Sequence, residues 1–138
     1  ERPCLPGLPE RTMSGISPSA LHILILTDEA ERLRGALMLA MSHVALGGEA
    51  CLFLQLDAVR LLAPGMVAPQ DGAHHRAGLP NLASLIDEAL GSEVQIIACQ
   101  TGLHLAGIAA YALDPRIETG GLVSFLSALS PDGRFVTA

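Results

Sequence analysis

The sequence predicts a single α/β domain: a three-layer α/β/α arrangement with a mostly parallel sheet of about five strands. Three observations carry this prediction. Short runs such as LHILILT, ACLFLQL and EVQIIA are almost uniformly apolar, as strands covered on both faces are. Segments with apolar residues at helical spacing alternate with them, the pattern of strand–helix–strand units. A chain of 138 residues is one domain, and about two thirds of its extended surface can be buried. A core of that size needs neither a disulfide nor a metal to hold it.

Residues 1–19 read as a flexible N-terminal tail, and residues 20–138 as the domain. Pro3, Pro6, Pro9 and Pro18, with Gly7 and Gly15, oppose regular structure in the tail. The first strand is expected from Leu21 to Thr27. Thr27 or Asp28 is expected to cap the following helix, Asp28 with Glu31 having the spacing of a capping box, and that helix runs to about Leu46. Leu33, Leu37, Ala40, Met41 and Val44 form its apolar stripe, and Gly47 and Gly48 stop it. Ala50 to Leu56 is the second strand. A helical turn follows from Asp57 to Leu62, then a loop from Ala63 to Leu79 rich in Gly and Pro, long enough to suggest function or mobility.

Pro80 is expected to open the next helix, where its missing N–H costs nothing. Leu82, Leu85, Ile86, Ala89 and Leu90 form its buried face, and Gly91 ends it. The third strand spans Glu93 to Ala98, with Cys99 at its C-terminal end. A helix is expected from about Thr101 to Leu113, ended by Asp114 and Pro115. A short strand at Ile117 to Thr119, a last helix from Gly121 to Leu129, a Ser130-Pro131-Asp132-Gly133 turn and a final strand from Arg134 to Thr137 complete the chain.

Composition excludes several functions. The formal charge is −6, the wrong sign for a phosphate-binding surface, so nucleic acid is not an expected partner. Three Phe, one Tyr and no Trp leave little to stack on bases or sugars. No apolar segment is long enough to span a bilayer, so membrane insertion is not expected. The first residues, ERPCLPGLPERTMSG, have no apolar core of a secretory signal, and Cys4, Cys51 and Cys99 lack disulfide or zinc spacing. A soluble, cytoplasmic protein in a reducing compartment is the expectation.

Cys99 is the candidate catalytic residue. Ligand sites of open parallel sheets form outside the carboxyl ends of the strands, and Cys99 lies there, just before a helix. Unpaired N–H groups and the helix dipole favour a thiolate in that place. The dipole supplies about 0.3–1 kcal/mol, against about 2.7 kcal/mol for two units of thiol pKa, so direct N–H bonds to sulfur or a nearby cation are also required. The alternative is a small, inert buried hydrophobe. Cys51, at the opposite end of its strand, reads as core, and Cys4 as an incidental tail thiol. His74 and His75 have only Asp71 near ligand spacing and read as a solvated loop, so no metal site is expected. His104 either polarises the Cys99 thiol or lies on the helix surface; His22 and His43 read as structural. The pair Gly120-Gly121 either lets a ligand approach the backbone or simply starts a helix.

The segment IIACQTGLHLAGIAAYALDPRIETGG, Ile96 to Gly121, resembles the DsrE/DsrF-like sulfur-relay family, in its branch named peroxiredoxin-like. Ala98-Cys99-Gln100 matches the cysteine motif at a strand end, Gly107 the glycine inside the following helix, and Glu118 the acidic residue before Gly120-Gly121. LLAPGM (Leu61 to Met66) and LPNLASLIDEAL (Leu79 to Leu90) match in type and order, so the likeness extends over about Leu21 to Ala138. The resemblance implies a three-layer α/β fold, a homo-oligomer, and a cysteine, here Cys99, that accepts sulfane sulfur as a persulfide. Gln100, Thr101, Gly120 and Gly121 are then the expected ligand-binding residues. Sulfur-donor and sulfur-acceptor proteins or small persulfides are the expected partners, and no cofactor is expected. Many members of the branch carry a hydrophobic membrane segment, which this sequence lacks. Some carry a second cysteine soon after the first; Gln100 to Ala110 contains none, which favours a one-cysteine carrier. A non-catalytic oligomeric binding module and a thiol peroxidase are the competing readings. The peroxidase reading lacks a Thr-x-x-Cys arrangement before Cys99.

Overall fold

The computed structural model describes residues 19–138. The expected tail, Cys4 included, lies outside the described residues apart from Ser19. Five strands form one sheet: β1 (Leu21–Ile25), β2 (Ala50–Leu54), β3 (Gln95–Cys99), β4 (Glu118–Gly120) and β5 (Arg134–Thr137). Their spatial order is β4-β3-β2-β1-β5, and every pair is parallel. The expected α/β class and strand number are therefore found, with a sheet that is parallel throughout.

The helices are α1 (Ala30–Ala45), α2 (Asp71–Arg76), α3 (Leu82–Gly91), α4 (Gln100–Ala106) and α5 (Leu122–Ser127). Connections from β1 to β4 all step the same way across the sheet, so right-handed crossovers put α1 and α3 on one face. The return from β4 to β5 runs backwards and puts α5 on the other. Alternation along the strands separates the two faces. Ile23, Ile25, Leu52, Leu54, Ile96 and Ala98 lie under α1 and α3, essentially inaccessible. His22, Cys51, Phe53 and Ile97 point to the α5 side, where Phe125 packs on the rings of Phe53 and His22.

The expected stripe of α1 is confirmed: Leu33, Leu37 and Ala40 are fully buried, with Met41 and Val44 packed at its margin. Its start differs, because neither Thr27 nor Asp28 is the cap: the helix begins at Ala30 with Glu29 at the N-cap and no side-chain cap bond, and Thr27 Oγ1 accepts from the Glu29 amide at 3.2 Å in the turn before it. Helix α3 starts two residues after Pro80, since Asn81 Oδ1 accepts from the Ser84 amide at 2.8 Å and fixes the cap there. The expected loop from Ala63 to Leu79 contains α2, so His74 and His75 lie on a short helix.

That segment is tied down by a charge cluster. Arg34, only 6% exposed, donates to the Pro80 carbonyl at 2.8 Å and to Asp71 Oδ1 at 3.3 Å. Asp71 also accepts from the amides of Ala68 and Leu82, at 2.8 and 2.9 Å. One carboxylate thus joins α1, α2 and the start of α3. Glu31 bonds both Arg34 and His74, and His74 holds its carboxyl below the usual range.

Candidate functional site

Cys99 is the last residue of β3 and also the N-cap of α4, so the strand passes into the helix without a loop. The strand was expected to end at Ala98; Cys99 still pairs with Gly120 of β4. Its Sγ accepts from the Gly102 amide at 3.3 Å, and the residue is 6% exposed. This is the direct N–H bond to sulfur that a dipole argument alone leaves missing.

Gly102 is itself determined by packing. A Cβ there would stand 2.5 Å from the carbonyl oxygen of Leu56, at the head of the 3-10 turn Leu56–Leu62 that follows β2. No side chain fits, so glycine lets α4 lie against the turn and brings its amide to the sulfur. Helix α4 ends after seven residues, because Gly107 adopts a left-handed φ of +70°. The expected helix to Leu113 is therefore divided, and a separate 3-10 turn covers Ala110–Ala112.

Gln100 and Thr101 are exposed in the first turn of α4, beside Cys99. Gly120 lies across from Cys99 in the ladder, and Gly121 caps α5; both are half-buried. The structure thus brings all four expected binding residues to the carboxyl end of β3 and β4. His104 is exposed on α4 and makes no hydrogen bond to Cys99. Cys51 pairs with Gln95 near the start of β3, and burial, with Glu118 nearby, pushes its thiol up to about 12. Burial thus disfavours its thiolate, as expected of a core cysteine.

A cavity of about 430 Å³ opens on the α5 side, lined among others by His22, Cys51, Gln95, Ile97, Glu118 and Phe125. Gly120 and Gly121 also line it, whereas Cys99 does not. Both ring nitrogens of His22 are buried and without a hydrogen-bond partner, and burial lowers its pKa. Glu118 accepts from Gln95 Nε2 at 3.0 and 3.1 Å across the cavity rim. Among the described residues, no three His, Cys, Asp or Glu are grouped to hold a metal. No helix there is long and apolar enough to cross a membrane.

Sequence reasoning missed Leu56, Gly102 and the Arg34–Asp71 cluster. A glycine in the first turn of a helix was the one available signal, since it costs stability unless space demands it. Nothing in the residue type of Leu56 announces its conformation.

Sheet order, parallel pairing throughout and a cysteine that caps the helix after the third strand define an open, all-parallel α/β fold. Two solved structures share this architecture. One is MTH1491 from Methanobacterium thermoautotrophicum, a protein of unknown function, with a TM-score of 0.66 and 13% identity; the match covers 88% of this chain and 100% of that one. The other is the YchN protein of E. coli, with a TM-score of 0.64 and 23% identity, covering 87% of this chain and 98% of that one. At these identities the likeness is one of fold. No family model and no curated protein matches the sequence.

Proposed function

We propose that the protein is a persulfide carrier that works through Cys99. The observation that supports this reading is the Gly102 amide directed at a sulfur that caps a helix at the carboxyl edge of the sheet. The Cys99 thiolate attacks the outer sulfur of a donor persulfide. A new S–S bond forms at Cys99, the donor's S–S bond breaks, and the donor leaves as a thiolate. An acceptor thiolate then attacks the same outer sulfur, and Cys99 leaves as the thiolate. There is no net redox change, and the amide stabilises negative charge on sulfur before and after transfer. Gln100 and Thr101 stand where a donor approaches, and Gly120 and Gly121 leave the opposite strand low enough for it to reach the sulfur. Donor and acceptor are proteins or small molecules bearing a persulfide or a thiol, and the site works in a reducing compartment such as the cytoplasm.

Treatment with a polysulfide should add increments of about 32 Da, one sulfur atom, on the peptide containing Cys99, and excess thiol should remove them. Cys99→Ser should abolish the labelling with the fold intact, and Cys51→Ala should retain it. Absence of sulfur on Cys99 in the folded protein overturns the proposal. The cavity lined by the unpartnered His22 ring favours a second reading, a binding module without chemistry. That reading predicts saturable binding of a small molecule that Cys99→Ser leaves unchanged and that a bulky residue at Gly121 blocks.

We also propose that the chain forms a homo-oligomer. Val123 and Leu126 on α5 and Phe135 on β5, whose ring lies 6.5 Å from that of Phe125 on α5, are exposed apolar side chains.

A further inference from the structure

Leu56 carries an anomaly that core packing does not explain. It is a leucine with φ of +49°, in the left-handed region where a Cβ is penalised. Its side chain is no reason for that backbone, because the residue is 44% exposed. Its main chain, by contrast, is pressed against Gly102. A Cβ on Gly102 would lie 2.5 Å from the Leu56 carbonyl oxygen, 2.9 Å from its Cα and 3.0 Å from its carbonyl carbon. Gly102 in turn supplies the amide that Cys99 Sγ accepts. Strained backbone persists where the surroundings over-determine it, and it gathers where geometry has a task.

We infer that the left-handed backbone of Leu56 is a positioning device for the Cys99 thiol: it seats the 3-10 turn on α4 at Gly102 and so fixes the amide that meets the sulfur. The purpose of this device rests on the carrier reading; its mechanics concern the thiol alone. Leaving β2 with ordinary extended or right-handed angles, the chain would carry the turn off Gly102. The α4 first turn would then lose the backbone that it packs against. Leu56 is a positioning residue acting through Gly102, and its side chain is dispensable for the task.

Two substitutions separate backbone from side chain. Leu56→Gly keeps the left-handed conformation without steric cost. Leu56→Val opposes it, because a β-branched residue tolerates that region poorly. The experiment measures iodoacetamide alkylation of Cys99 across the neutral-to-alkaline range, read by mass on the Cys99 peptide, with circular dichroism to verify folding. Leu56→Val should slow alkylation of Cys99 near neutral pH by about three- to tenfold. Leu56→Gly should leave the rate unchanged, and so should Leu56→Ala, which removes the side chain beyond Cβ and keeps the backbone preference of leucine. If Leu56→Val does not fold, Leu56→Thr, β-branched but polar at this exposed position, should slow alkylation in the same way. An unslowed rate in the folded Val or Thr variant overturns the inference. So does the reverse order, with Gly damaging and Val harmless, because that is the signature of side-chain packing. Sulfur uptake by the wild type is measured alongside. Its failure removes the carrier reading and leaves the alkylation comparison intact.

Discussion

Replacing Asp71 by Ala should unfasten the segment between β2 and α3. The carboxylate accepts from two backbone amides, Ala68 and Leu82, whose residues are 3% and 0% exposed, and it faces a guanidinium whose side chain is 7% exposed. Each buried donor left without an acceptor costs about 1–3 kcal/mol. Breaking a buried ion pair by removing one partner costs about 3–5 kcal/mol. Arg34 would keep the Pro80 carbonyl and the half-exposed Glu31, which moderates its share. These contributions are not additive, and about 3–4 kcal/mol is the expected loss. For a domain of this size that lowers Tm by roughly 10–20 °C. Urea and thermal unfolding measure both quantities. Asp71→Asn, which keeps one acceptor oxygen but no charge, should lose about half as much. A loss below about 1 kcal/mol for Asp71→Ala, with the native fold retained, would refute the assignment of Asp71 as the tie between three elements.

His22→Phe should stabilise the protein at acid pH, because it removes two unpartnered polar atoms beneath Phe125. Burial holds the folded pKa of His22 below its ordinary 6.5, so the unfolded chain binds the proton more readily. Stability should therefore fall as pH drops through and below 6.5, and the Phe variant should flatten that slope; equal slopes in urea titrations would count against it. Cys51, with its thiol near 12, should resist alkylation at mildly alkaline pH until denaturant is added, and rapid labelling of the folded protein would contradict its burial. Light scattering at micromolar concentration should show an oligomer, which Val123→Glu together with Phe135→Glu should dissociate; a wild-type monomer would defeat the proposal.

The parts of the fold decided by local pattern were legible beforehand. Strands β1, β2 and β3 are apolar runs with little else in them, and the α1 and α3 stripes are regular. The sequence pattern places Gly107 inside a helix, yet its left-handed φ ends α4; a glycine has the same letter in either role. Helix α2 has no buried residue, so no apolar period marked it. Cys99 was found from its place at a strand end. The amide that meets it was not, because that contact depends on how closely Leu56 approaches Gly102, and this is settled by the packing of elements distant in sequence. The Arg34–Asp71 pair likewise spans 37 positions of chain.

The order of the strands has a consequence for synthesis. β1 is the first of the five strands to emerge from a ribosome, and one of its two partners, β5, is the last of them. Until residues 134–137 are available, the unpaired side of β1 is an open template, bearing the amides and carbonyls that later meet β5. Strands β1 to β4 can add neighbour by neighbour as they appear, whereas the β5 edge closes only by a return across the sheet. Nascent copies on one message would therefore be most prone to pair with each other, rather than within themselves, in the interval before that strand arrives.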